Sequence, residues 1–528
     1  MERQILKVLL ACLIVAACKG PSSPGTSSSP ESSQEEDTVS PRNRGITPAN
    51  AYNDLFLDSM AVEKFIQQKR LDSHMANRLR SFYNTRNYEF AWLDSKGPTE
   101  QASAFQSLYS YSKDTGSSKA IDIRLDGLKT EDSLVITANN PEMTHLELQL
   151  TVRLVTYFRK RGGSVEQIEH MVPAQRYEVM QLADSMLKTN DHLFPAVAPM
   201  KAPLKAYMGY VRDGGWDTLP RVGKGYRKGQ SSPDIRLIKK RLTLTGELAD
   251  EDSSAVFDDA LETAVNIFRN HYGYTENGVL NDTIIRELNV SAQARLQQLL
   301  INMERMKWMP AADKGKLILV NIPAFKLQVV EDRQQLFDID IIVGKEGHST
   351  TMFSGWLSQV VFSPYWNIPR SIIRKEILPA MNRRPGYLAS KHMEITGHQN
   401  GLPVIRQLPG PHNALGRVKF LFPNSYNIYF HDTPEKSLFN HDIRTYSHGC
   451  IRLKDPMKMA QFVLENSPEW TTEKITAAMD SGKQTYVTVK HPVPVIITYF
   501  TAWVEGDTLH IAPDVYDHDI PFRNKLFL

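Results

Sequence analysis

Cysteine is what this chain has least of: three in 528 residues, at positions 12, 18 and 450. No Cys-x-x-Cys pair exists, so paired thiolate zinc ligands and a disulfide framework are both excluded. A charge bias is missing too. With 62 Lys and Arg against 59 Asp and Glu, the chain carries no electrostatic footprint for nucleic acid. The apolar run from Val8 to Ala17 is too short to cross a bilayer. What remains is a chain long enough for two or three buried cores.

Arg3 and Lys7 precede that apolar run, which ends Val15-Ala16-Ala17-Cys18. This has the form of a secretory leader with a lipobox, against the plainer reading of an ordinary signal peptide cut nearby. The lipobox reading predicts cleavage before Cys18, diacylation of its thiol, and a periplasmic protein of the cell envelope anchored to a membrane. Cys12 would leave with the leader and Cys18 would be lipidated, so Cys450 would be the only thiol left in an oxidising compartment. Lys19 to Pro48 is rich in Ser, Pro, Gly, Glu and Asp, with too little apolar surface to offset the entropy of ordering. It is expected to be a disordered tether reaching about 30 Å.

The chemistry gathers between Tyr426 and Leu453. Tyr426, Ile428 and Phe430 alternate with Asn427, Tyr429 and His431, a strand pattern whose second face carries His431 to its end. Fifteen residues intervene before Ser447-His448-Gly449-Cys450-Ile451-Arg452. Asp455 reads as a helix N-cap and Pro456 as the first helical residue. A lone cysteine is commonly a small buried hydrophobe. A nucleophilic one needs an imidazole or a positive field, because a thiol with a pKa of roughly 8.5 is little ionised at neutral pH. His431 and His448 can each supply the imidazole.

The pattern resembles the signature of L,D-transpeptidases. The resemblance implies a peptidoglycan cross-linking enzyme working through a cysteine acyl-enzyme without a cofactor. It makes Cys450 the nucleophile and His431 the base, with Ser447, His448 and Gly449 around the oxyanion hole. Its substrates would be a tetrapeptide stem, which loses D-Ala, and the amine of a second stem, giving a 3-to-3 cross-link. Arg452, whose planar fork suits a stem carboxylate, is expected to bind substrate together with Tyr429 and Trp366. Two other classes compete. His431, His441, His448 and Cys450 are metal-capable, but no two of these histidines stand at i, i+4 as in a helical zinc motif. A zinc- or cysteine-dependent L,D-carboxypeptidase and a non-catalytic wall-binding lipoprotein are the alternatives.

Residues 49–228 read as a helical domain. Phe82-Tyr-Asn-Thr-Arg86, Ala91-Trp-Leu93 and Gly214-Gly-Trp216 resemble the scaffold region of the large, YcbB-like branch of the family. Residues 229–290 show three helical segments resembling a peptidoglycan-binding domain, with Arg269 and Asn281 departing from its usual pattern. A packing unit with little glycan affinity is therefore equally open. Residues 291–312 read as a linking helix. From Leu317 the period becomes that of strands, predicting a mostly β, β-sandwich-like catalytic domain over 313–528. Within it, 366–416 is a basic, Pro- and Gly-punctuated stretch, expected to be a capping insertion over the site and otherwise a solvated loop. The whole is an α+β multidomain chain.

Overall fold

The computed structural model describes residues 38–112, 119–130, 134–249, 253–311 and 314–528. Cys18 and most of the expected tether lie outside the described residues. The tether's last part does not stay loose. Ser40 N–H donates to Ser81 Oγ at 3.0 Å, Asn84 donates to the Ser40 carbonyl at 2.9 Å, and Ile46 is buried. Ile46 is the apolar residue that the composition argument overlooked.

Helices fill the region from Ser59 to Arg212, several of them begun by a short polar cap: Asp72, Thr99 and Asn140 accept N–H groups of the following turn. At their centre sits one buried carboxylate. Glu147, on the Pro141–Arg159 helix, accepts the N–H groups of Ala91, Trp92 and Leu93 and the Tyr83 hydroxyl. Thr151, one turn on, takes Trp92 Nε1 at 2.9 Å and pairs with the Tyr83 hydroxyl at 2.7 Å. The two aromatic phrases of the sequence are thus one polar-cored knot, completed by the short ladder of β1 (Leu93–Asp94) and β2 (Gly97–Pro98).

The next three helices are Pro233–Thr245, Asp259–His271 and Asp282–Leu288. Both departures noted in the sequence have structural occupations. Asn281 caps the third helix, accepting the Thr283 and Ile284 N–H groups at 3.1 Å, and buried Arg269 donates to the Thr275 and Val279 carbonyls. The Ala292–Met306 helix follows, buried around most of its circumference.

The main sheet begins with β3 (Lys316–Asn321), β4 (Lys326–Glu331), β5 (Gln334–Gly344) and β6 (Ser354–Phe362). Asp332 and Arg333 between β4 and β5 both take positive φ, as a tight two-residue hairpin requires. The chain then leaves the sheet for a separate layer. β7 (Trp366–Asn367), β8 (Met393–Gln399) and β9 (Leu402–Gln407) pair in the order β7-β9-β8, with short helices from Arg370 to Ser390. Ile368, Ile372, Ile373, Ile377 and Ile405 give this insertion a small core of its own. It is a subdomain rather than a solvated loop.

The sheet resumes with β10 (Val418–Leu421), β11 (Phe430–His431), β12 (Thr445–Ser447), β13 (Ile451–Leu453) and β14 (Thr485–Thr498). Among the described residues the strand order is β12-β5-β13-β11-β10-β6-β14-β3-β4. β5 is long enough to pair with β4 through its first half and with β13 and β12 through its end. The ladder therefore folds over and closes on one core, in which Val320, Leu327, Ile341, Val360, Phe420, Phe430 and Ile451 meet.

The main sheet does not run to Leu528. After Phe500 the chain turns back into the helical core: β15 (Ala502–Glu505) pairs with β16 (Thr508–Ile511), and the Asp519–Leu526 helix packs Phe522 against Tyr52. Arg305, on the linking helix, pairs with both Glu100 and Asp519 and so ties these pieces together. No helix among the described residues is long and apolar enough to cross a membrane.

Candidate active site

β11 is shorter than the alternation from Tyr426 predicts, and the reason is local. Asn424 accepts the N–H groups of Tyr426 and Ile428 at 3.0 and 3.1 Å and donates to the Ile428 carbonyl, closing a turn. Asn427 then takes a positive φ of 56°, which no strand accommodates. Only Phe430 and His431 pair as strand.

Those two residues run parallel to β13, with Phe430 opposite Ile451 and His431 opposite Arg452. Alternation does the rest. Phe430 and Ile451 point into the core, so Tyr429, His431, Cys450 and Arg452 share the opposite face. The Cys450 thiol donates to the Asn427 carbonyl at 3.6 Å, and Tyr429 lies near enough to the sulfur to favour its thiolate. The Tyr429 ring also stands 5.7 Å from that of His431.

His431 Nδ1 lies 2.5 Å from the Asp432 carbonyl, which can only accept. Nδ1 therefore carries the proton, and Nε2 keeps a free lone pair. Burial first, and the Arg452 guanidinium second, push this imidazole down to about 3. Burial also pushes the Cys450 thiol up, against the pull of Tyr429, Lys419 and Arg452. Both shifts favour the uncharged form of their group at neutral pH. Lys419, opposite His431 on β10, was not anticipated; its ammonium, held below its ordinary value by burial, lies 5.8 Å from the Tyr429 ring centre. Only the strand pairing brings it here.

The loop before Cys450 is fixed by its own hydrogen bonds. Buried Ser447 accepts the Gly449 N–H at 3.1 Å and donates to the Cys450 carbonyl at 2.5 Å. Gly449, at φ 106°, is held from outside by Thr350 Oγ1, which donates to its carbonyl at 2.9 Å. The Gly449 N–H is thus spoken for, and the His448 and Cys450 N–H groups have no acceptor among the described residues. Of the three N–H groups around Gly449, these two are left to meet a bound oxygen.

The other expected residues fall differently. His448 turns its ring away, with Nε2 2.9 Å from Glu376 Oε1 on the capping subdomain and its ring centre 5.1 Å from that of His348. Arg452 pairs with Glu435, a half-exposed carboxylate. Trp366 is not gathered with the others: β7 pairs it opposite Gln407, and its indole packs on the cap's isoleucine cluster. His431, His441, His448 and Cys450 do not form a metal-binding group; among the described residues no three His, Cys, Asp or Glu side chains do.

Residues 315–495 match the L,D-transpeptidase catalytic domain family YkuD, and residues 77–207 match the family described as Scaffold domain. A Haemophilus influenzae protein named "Putative L,D-transpeptidase" is 33% identical over 239 residues, 42% of this chain and 48% of that protein. The chain thus spans about half the length of this curated relative. Among solved structures, an L,D-transpeptidase from Mycobacterium smegmatis aligns at 15% identity and TM-score 0.20 over 35% of this chain and 58% of its own. The L,D-transpeptidase of Xylanimonas cellulosilytica aligns at 13% identity and TM-score 0.17 over 53% of this chain and 100% of its own.

Proposed function

With residues 315–495 forming an L,D-transpeptidase catalytic domain, we propose that the chain cross-links peptidoglycan stem peptides 3-to-3 through a Cys450 acyl-enzyme. The observation that carries this is the shared face of Cys450 and His431, with His431 Nδ1 anchored and Nε2 free. Cys450 Sγ attacks the carbonyl of the third stem residue while His431 Nε2 takes the thiol proton. The oxyanion meets the His448 and Cys450 N–H groups. Collapse of the tetrahedral intermediate breaks the amide bond, and the proton on His431 leaves with the D-Ala amine. The amine of a second stem then attacks the thioester, gives its proton to His431, and frees the sulfur, which recovers that proton. Arg452 would exchange Glu435 for a stem carboxylate.

The scaffold-domain match and the capping subdomain support the large, YcbB-like branch. The leader ending in Cys18 supports a lipid-anchored, periplasmic location. Water in place of the amine would make the same acyl-enzyme an L,D-carboxypeptidase. The test is intact-mass spectrometry with a carbapenem, followed by purified tetrapeptide muropeptides. One adduct on the wild type, none on Cys450→Ala, and formation of a dimer with release of D-Ala are the expected results. An adduct that persists on Cys450→Ala would overturn the nucleophile, and tripeptide alone would overturn the cross-linking.

A further inference from the structure

The turn that frames the sulfur is held from outside the catalytic domain. Its inner side presents the Asn427 carbonyl to the Cys450 thiol at 3.6 Å. Its outer side is gripped by the Lys119–Thr130 helix of the scaffold region, some 300 residues away in sequence. Asp126 accepts the Tyr426 hydroxyl at 2.8 Å and the Ser425 hydroxyl at 2.6 Å. Lys129 Nζ donates to the Tyr426 hydroxyl at 3.1 Å and to Gln106 Oε1 at 2.7 Å, and Gln106 returns a bond to Asp126 at 3.1 Å. The Tyr426 ring rests on Phe353 at 5.2 Å between centres. The phenol is therefore both donor and acceptor in a closed, charge-assisted ring.

We infer that Asp126, Lys129 and Tyr426 are positioning residues for acyl transfer: the scaffold helix fixes the turn, and the turn fixes the direction of the Cys450 thiol. The argument rests on Cys450 being the nucleophile. Between Tyr426 and Asn427 there is one peptide bond, so a shift of the phenol displaces the carbonyl that orients the S–H. The stiffness of the Asn424-closed turn transmits that shift instead of absorbing it. Reactions of this kind lose about 100-fold in rate for a 1 Å misplacement. A contact that served only to glue two domains together would change stability and leave the thiol's reactivity alone.

The two roles separate in the full-length chain. Tyr426→Phe keeps the ring on Phe353 and removes the hydroxyl; Asp126→Ala removes the acceptor; Asp126→Asn keeps an acceptor oxygen. Carbapenem acylation of Cys450 is followed by stopped flow across drug concentration, alongside the pH profile of Cys450 alkylation by iodoacetamide. Positioning predicts a fall of about 10- to 100-fold in the limiting rate of Tyr426→Phe and Asp126→Ala. Half-saturation should stay within about threefold, the alkylation profile should shift, and Asp126→Asn should recover most of the rate. Wild-type limiting rates and an unchanged profile in Tyr426→Phe, whatever its melting temperature, would overturn the inference. Failure of the wild type itself to acylate at Cys450 would instead overturn the nucleophile reading.

Discussion

Glu376 Oε1 lies 2.9 Å from His448 Nε2, joining the capping subdomain to the loop that carries Cys450. The His348 ring centre lies 5.1 Å from that of the same imidazole. On the mechanism proposed above, an insertion fastened to this loop can shield the Cys450 thioester and still release products, provided that the fastening is weak. Side-chain exposures of 31% and 51% make it so: such pairs are worth about 1 kcal/mol or less, which is up to about fivefold in a closed population.

Glu376→Ala is therefore expected to leave carbapenem acylation near the wild-type rate while moving stem turnover from dimer toward hydrolysed tripeptide by up to about fivefold. Under conditions where the imidazole is protonated, raising the salt concentration should move the wild type the same way and shrink the difference between the two proteins. Chromatography of the products measures both. Replacing Arg383 to Leu402 with a short Gly-Ser linker removes much of the cap and should shift the ratio further. An unchanged ratio at normal rate in both variants would strip the cap of this role.

The two histidines are expected to rank unequally. His431 is buried with one nitrogen anchored, whereas His448 is committed to Glu376. His431→Ala should lose roughly 100- to 10,000-fold in acylation rate, the range of general-base removal. His448→Ser keeps its backbone N–H and should retain measurable activity. The opposite ranking would transfer the base to His448.

What the sequence made legible is what lies close in the chain or repeats with a period. The Ser-His-Gly-Cys loop, the Asp455 cap before Pro456, and the first three strands of the sheet all stand where the pattern puts them. Lys419, Thr350, Glu376 and Asp126 were not legible, because each reaches the site only through a strand partner or a neighbouring domain. Trp366, expected from the sequence as a substrate contact, is placed by the structure against the insertion's small isoleucine core. The stretch after Phe500 lies outside the sheet expected over 313–528, because the core that it joins is decided by Asn302, Arg305 and Tyr52, far upstream.

The shifts of His431 and Cys450 give a pH signature. His431 is held down to about 3, so its Nε2 stays unprotonated through the mildly acidic range. The thiol is pushed up, so it stays protonated at neutral pH. Acylation should therefore run nearly flat from about pH 5 to 7, where an ion pair with an imidazole titrating near 6.5 would make it fall with acid. Stability carries the matching sign. Between about 3 and 6.5 the unfolded chain binds more protons at this residue than the folded one, so His431 makes stability rise with pH across that window. His431→Asn should flatten that part of the melting-temperature profile. A wild-type acylation rate that drops tenfold per pH unit below 6.5 would show that the imidazole ionises normally.

Thr350 offers the cleanest test of how the nucleophile loop is held. It is buried, its Oγ1 accepts the Gly344 N–H at 3.0 Å, and it donates to the Gly449 carbonyl at 2.9 Å. Tyr516, from the chain's last segment, braces the same place by donating to the Gly344 carbonyl at 2.6 Å. Gly344 has no room to adjust, since a side-chain carbon there would meet the His348 carbonyl at 2.0 Å. Thr350→Val matches the shape but strands a buried N–H and a buried C=O, each costing about 1 to 3 kcal/mol. The variant should lose stability on that scale in urea melts, and its Cys450 acylation should slow because Gly449, one residue before the sulfur, is freed. Thr350→Ser, which keeps the hydroxyl, should restore both. If Thr350→Val acylates at the wild-type rate while its stability falls, the Ser447 bonds alone set the loop, and the Thr350 bridge is structural only.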